Sequence, residues 1–145
     1  MLDIHVPKET LVYENKIINS AESFKKGINR GAMNAGRSIQ KRIITNLNIG
    51  SRSGRKYRNL PNRSSAPGEN PRSQNRSLER SVYYGASENK IVVGSNVDHA
   101  TYLTEGTRYM EARPHKDLPF FELAMEQEER NTEEYLKKGV IDELC

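Results

Sequence analysis

Between positions 20 and 49 the apolar residues fall on one side of a helix, and this stripe limits the fold more than any other feature. Phe24, Ile28, Ala32, Ala35, Ile39, Ile43 and Leu47 recur at steps of three and four, the spacing of an amphipathic helix with one face toward a core. Lys25, Lys26, Arg30, Arg37, Lys41 and Arg42 fill much of the remainder. Ser20 is suited to an N-cap and Gly50 to a C-terminal stop, which gives one helix of about seven turns. Gly27, Gly31 and Gly36 lie inside it. Each costs about 1 kcal/mol relative to alanine, so the helix either bends there or lets another backbone approach closely. A membrane reading of the Gly27/Gly31 spacing fails because its surroundings are charged, and no window nears the roughly 20 apolar residues of a span.

The period changes after position 77. Val82 and Tyr84 alternate with Ser81 and Tyr83, turn-forming residues follow from Gly85 to Asn89, and a β-branched run from Lys90 stops at Gly94. Two such runs around a short turn predict a β-hairpin. A lone hairpin is marginal in water, so the helices on either side must cover it. Residues 98–107 read as either a helical turn or a third strand. Farther on, Asp117 is placed to cap a last helix over 117–138, with Pro119 in its first turn and Phe120, Phe121, Ala124, Met125, Tyr135 and Leu136 on its buried side. Gly139 is expected to end it. Residues 1–19 are expected to form an arm or edge strand, since Leu2, Ile4 and Val6 alternate before Pro7. The whole is predicted to be a single α+β domain over 1–145, with a long N-terminal helix and a C-terminal helix packed on a small antiparallel sheet.

Residues 51–77 break every periodicity. Gly, Pro, Ser and Asn run throughout, with only Tyr57, Leu60 and Ala66 as apolar points. From 51 to 80 eight Lys and Arg face two Glu, a balance of +6, whereas from 121 to 145 eight acidic residues face three basic ones, a balance of −5. With an apolar fraction of 34%, against a usual value of roughly 45–50% on a similar count, the core is expected to be modest. The basic stretch is therefore expected to be flexible and ordered mainly by a partner.

That stretch has three readings: a solvated connector, a surface for nucleic-acid phosphates, or a face that docks on acidic protein. Its candidate contacts are Arg52, Arg55, Lys56, Tyr57, Arg58, Arg63, Arg72 and Arg76. Tyr57 is its one aromatic, which gives little support to base stacking. For the third reading Glu126, Glu129 and Glu133 supply the acidic face, and opposite patches on one chain suit a head-to-tail contact. Catalytic signatures are missing. His5, His99 and His115 form no metal-ligand spacing and the single cysteine is Cys145. No P-loop, GxGxxG or GxSxG occurs. Glu105 and Asp98 read as surface charge rather than an acid/base pair. No enzyme, cofactor, metal or small-molecule substrate is expected.

Five short pieces also stand in a telling order: S-A-P-G-E-N-P at 65–71, N-R-S-L-E-R-S-V at 75–82, Val93-Gly94-Ser95, H-A-T-Y-L-T-E-G-T at 99–107, and Pro119-Phe120. In this the chain resembles the small neck and tail-completion proteins that join head to tail in long-tailed bacteriophages. Their pattern has S-A-P-G-E-x-P after a long helix, T-G-x-L-x-x-S-I, V-G-S, Y-A-x-Y-V-E-F-G-T and a Pro-Phe opening the last helix. The likeness runs over about 65–124. Arg76 stands where the family has glycine, His99 and Thr104 depart from its pattern, and residues 108–118 look inserted. The resemblance implies a non-catalytic virion protein, assembled in the host cytoplasm, that forms one subunit of a ring. Its implied partners are further copies of itself, portal, adaptor, tail-tube or terminator proteins, and packaged DNA in the channel. Tyr83, Tyr102 and Tyr109 would be covered at subunit interfaces, and Tyr102, Glu105, Gly106 and Thr107 would make a fixed turn, with Gly106 supplying a backbone angle other residues resist. The alternative is a nucleic-acid-binding module built on the basic stretch 52–80.

Overall fold

In a computed structural model, residues 8–50, 52–87 and 90–144 are described, with side chains from residue 19 onward except at Ser87. The chain is α+β. Helix α1 spans Lys8–Asn48, followed after the basic stretch by α2 (Ser77–Ser81), strands β1 (Val82–Ser87) and β2 (Lys90–Ser95), α3 (Asp98–Glu105), α4 (Phe120–Gln127) and α5 (Glu129–Leu144). The two strands pair antiparallel, with Val82 opposite Ser95 and Ser87 opposite Lys90. Of the residues expected to make the turn, Gly85, Ala86 and Ser87 are paired in β1, because the ladder runs on to Ser87 opposite Lys90, and Glu88 and Asn89 lie outside the described residues.

The apolar stripe of α1 is the centre of the core. Ile39, Ile43 and Leu47 join Leu78, Val82, Ala100, Phe120 and Ala124 in one buried cluster. Burial of side chains such as Ile43 and Leu47 stabilises by about 1.5–3 kcal/mol each. The hairpin lays one face on this stripe. Ile91 and Val93 pack against the cluster, and the Tyr84 ring lies over Gly36, where an added Cβ would stand 3.1 Å from Cδ2. The opposite face, with Tyr83 and Val92, is exposed.

α5 runs back along α1 in the opposite direction, and the interior glycines explain how. Built on Gly139, a Cβ would sit 2.3 Å from the Gly27 carbonyl oxygen and 2.8 Å from the Gly31 nitrogen. The two backbones touch, which is the second of the two outcomes the glycines of α1 left open. Beyond them Arg30 pairs with Glu143 at 2.8 Å.

Several boundaries differ from the sequence reading. α1 already runs at Lys8, so residues 8–19 are helix rather than an arm or edge strand, and residues 1–7 lie outside the described ones. Ser20 lies inside α1 rather than at its N-cap. Phe24 is exposed, because the closest helix contact falls on the glycines beside it. The last helix is two, α4 and α5, meeting at Glu128. Pro119 rather than Asp117 occupies the N-cap of α4, and Gly139 lies inside α5 rather than ending it. A glycine read as a stop is here a packing residue. Residues 98–105 form a helix, which settles the choice left open by their pattern.

Candidate functional site

The basic stretch is folded onto its own chain, contrary to the expectation that a partner would order it. Arg52 reaches back to the end of α1, donating to the carbonyls of Asn46 and Ile49 at 3.1 Å each and to those of Asn70 and Pro71. Burial, then the nearby Arg72 charge, lowers its pKa, with Glu69 acting the other way. Arg72 Nη1 donates to the Gly50 carbonyl at 2.6 Å, and the Ser73 amide to Leu47 O at 2.8 Å. Glu69 ties the two arms of the loop together. Its carboxylate accepts the Ala66 amide at 2.8 Å and the Ser53 hydroxyl at 2.6 Å. With the Ser53 amide they hold its pKa down at about 2, the Ala66 bond contributing most. Hydrogen bonds of this kind contribute about 0.5–1.5 kcal/mol each, more when one partner is charged. Together they do for this loop what apolar burial does for the helices.

The outer part of the loop is a small turn. Lys56 and Arg63 form an isolated antiparallel bridge, and the Leu60 amide donates to Tyr57 O at 3.2 Å. Lys56 Nζ closes the turn through the carbonyls of Leu60 and Pro61, at 2.5 and 2.7 Å, and Arg63 reaches the Gly54 carbonyl at 3.3 Å. Arg55 lies over the Tyr57 ring at 5.3 Å, while Arg58 is exposed. Four of the candidate cations, Arg52, Lys56, Arg63 and Arg72, thus hydrogen-bond to carbonyls of their own chain. Arg55, Arg58 and Arg76 face solvent. Arg52, Lys56, Arg63 and Arg72 line one groove with Gly50, Pro61 and Asn62, and the other four candidates lie outside its lining.

Against the loop lies the segment after the hairpin. Gly106 sits at φ 79°, ψ 174°, with its amide on Tyr102 O at 2.9 Å. The expectation of a special backbone angle there holds. Thr107 bridges to Met110, its amide donating to Met110 O at 2.7 Å. Tyr102 and Glu105 project outward. Arg113 stitches this segment to the loop, donating to the Ser65 carbonyl and, at 2.5 Å, to the Ser65 hydroxyl. The Gly68 amide bonds Pro114 O at 3.0 Å, and Ser77 Oγ stands 3.4 Å from His99 Nε2. A groove of about 440 Å³ lies between the two layers, with Tyr57, Tyr102, His99 and Arg113 among its walls.

Arg76 adopts φ 64°, ψ 4°, at the N-cap of α2, the one described non-glycine residue with a positive φ. The left-handed region favours glycine, and glycine is what the neck-protein pattern has at this place.

Glu126, Glu129 and Glu133 do converge. They rim a second, open groove whose floor is Ile39, Ile91 and Met125. Between this rim and α1 lies a buried acidic residue that the apolar pattern of the last helix does not mark. Glu128 is 3% exposed. It accepts from Ser38 Oγ at 2.6 Å, Arg42 Nε at 2.7 Å and Asn131 Nδ2 at 2.9 Å. Burial alone would raise its pKa, but the Ser38, Asn131 and Arg42 hydrogen bonds and the Arg42 charge outweigh it, so the net shift is downward. The signal was available: Ser38, Arg42 and Asn46 recur at four-residue steps beside the apolar stripe, and Asn46 bonds Gln127 in the same row at 2.8 Å.

Among the described residues no three His, Cys, Asp or Glu side chains are grouped to hold a metal ion, and no helix is long and apolar enough to cross a membrane. The chain matches no protein-family model, no curated protein and no solved structure.

Proposed function

We propose that this chain is a structural virion protein of a tailed bacteriophage, one subunit of a ring in the neck that joins head to tail, of the tail-completion type. The observation that carries the reading is the way its separate motif pieces meet. The S-A-P-G-E-N-P segment, the N-R-S-L turn and the H-A-T-Y-L part of α3 line a single groove, with Ser77 Oγ against His99, and the first of them is fixed to the α3–α4 connection through Ser65–Arg113 and Gly68–Pro114. Arg76 adds to it by holding the backbone angle of the glycine it replaces. The tyrosines expected at subunit contacts are open in the isolated chain: Tyr83 and Tyr102 are each 51% exposed and Tyr109 is 89% exposed. Tyrosine is enriched where proteins meet.

The mechanism is assembly rather than catalysis. A rigid body of α1, α5 and the hairpin presents an open sheet face and a latched basic loop to its neighbours. The loop's role is that of a preformed contact, so less ordering entropy is lost on docking than a flexible loop would lose. A nucleic-acid-binding module has less behind it, since Arg52, Lys56, Arg63 and Arg72, which line one groove, donate hydrogen bonds to carbonyls of their own chain, and Tyr57 is the stretch's one aromatic. Immunogold labelling of particles from the phage genome that encodes this chain tests the proposal. Label at the head–tail junction is the expected result. Particles that carry no copy of the chain would overturn it.

A further inference from the structure

The acidic groove and the basic turn are two halves of one contact, and we infer that the turn 55–63 of a second copy of this chain docks into the groove rimmed by Glu126, Glu129 and Glu133. The inference rests on the ring-subunit reading and specifies its interface. The groove is open, about 570 Å³, with an apolar floor of Ile39, Ile91 and Met125 beneath the three carboxylates. None of the three is in an ion pair among the described residues; the nearby Arg130 pairs with Glu134 instead. Three unbalanced carboxylates around an apolar floor call for a ligand with an apolar centre and a cationic rim.

The turn has that form. Tyr57 projects from it, 46% exposed, with the Arg55 guanidinium over its ring. Arg58 follows at the tip, and Arg63 spends only a long 3.3 Å bond on Gly54. The ring supplies area for the floor, and the cations face the rim carboxylates. The turn is already closed by its own bridge and by Lys56, so it docks without first having to fold.

The turn does not fill its own groove. Its Asn62 donates to the Ser73 carbonyl at 3.2 Å, and the Ser73 amide is fixed to Leu47, about two helical turns beyond Ile39 on α1; no residue of the turn lines the groove. A contact that uses one patch as donor and a different patch as acceptor is heterologous, and its repetition gives a ring when the rotation closes and a filament when it does not.

Charge reversal in pairs tests this by sedimentation velocity of the full chain at low and high salt. Wild-type chain is expected to associate in a concentration-dependent way that weakens with salt. The groove variant Glu129→Arg/Glu133→Arg and the tip variant Arg55→Glu/Arg58→Glu should each lose association by roughly tenfold or more. An equimolar mixture of the two should regain it, because each reversed tip then meets a reversed groove. Circular dichroism establishes that both variants fold, and Tyr57→Ser provides a variant of unchanged charge at the turn that should weaken association too. A wild-type chain that stays monomeric, or variants that associate like wild type, would overturn the inference. So would a mixture no better than its components. Immunogold label at the neck together with any of those results would leave the virion role standing and remove only this interface.

Discussion

Gly27 on α1 and Gly139 on α5 bring two helix backbones into direct contact, so close that a Cβ on Gly139 would overlap the Gly27 carbonyl oxygen at 2.3 Å. Neither glycine is there for a turn. Both lie inside helices, where glycine is disfavoured by about 1 kcal/mol, and the close approach is what offsets that cost.

Gly139→Ala is therefore expected to destabilise the fold by roughly 1–3 kcal/mol, the usual result of forcing a methyl group into a packed contact. On propensity alone the same change would stabilise α5. Urea unfolding decides between the two signs, and a more stable variant would show that the helices do not touch at this point.

Glu128 gives the α1–α5 contact a pH dependence. Its carboxyl holds its proton less tightly in the folded chain than in the unfolded one, where a glutamate titrates near about 4.3. The stabilisation is complete above that value and is lost as pH falls through the lower folded pKa. Glu128→Gln should cost about 1–3 kcal/mol at neutral pH, since it replaces charge-assisted bonds from Ser38 and Arg42. The variant should also flatten the decline in melting temperature below about pH 4. An equally steep decline in the variant would place the pH dependence elsewhere.

Glu69 should titrate at about 2 because of the bonds from Ala66 and Ser53. Ser53→Ala removes the hydroxyl bond and should move the titration upward toward the ordinary carboxylate range. Carboxyl carbon shifts followed by NMR report both values. A wild-type titration in the ordinary range would mean the loop is not latched in solution.

Arg76→Gly should stabilise the chain by roughly 0.5–1 kcal/mol. Relief of a left-handed backbone worth about 1–2 kcal/mol is partly offset by the greater freedom glycine has when unfolded. Thermal unfolding of the two forms side by side measures the difference. A loss of stability would show that the Arg76 side chain has a structural role that outweighs its backbone strain.

The periodic parts of the chain could be read without coordinates. The stripe from Ala32 to Leu47, the hairpin around Val82 and Val93 and the special angle at Gly106 follow from local rules, because helix period, strand alternation and glycine geometry are properties of neighbouring residues. The boundaries of α1 and the role of Gly139 did not follow. A glycine that ends a helix and one that admits another helix are the same letter, and only the partner backbone separates them.

The sequence by itself determined the class of fold, the segregation of charge and the order of motif pieces. Tertiary structure decided that the basic stretch, over its described residues 52–77, is built rather than loose, and that Glu128 is interior while Glu126 and Glu129 are not. The physical reason is common to both. These features rest on hydrogen bonds between groups far apart in the chain, Arg113 with Ser65 and Glu128 with Ser38 and Arg42. The row Ser38, Arg42 and Asn46 on α1 is periodic, but nothing local marks Glu128 as its counterpart, or Arg113 as that of Ser65, because a charged side chain looks the same in sequence whether it faces water or a partner 90 residues away.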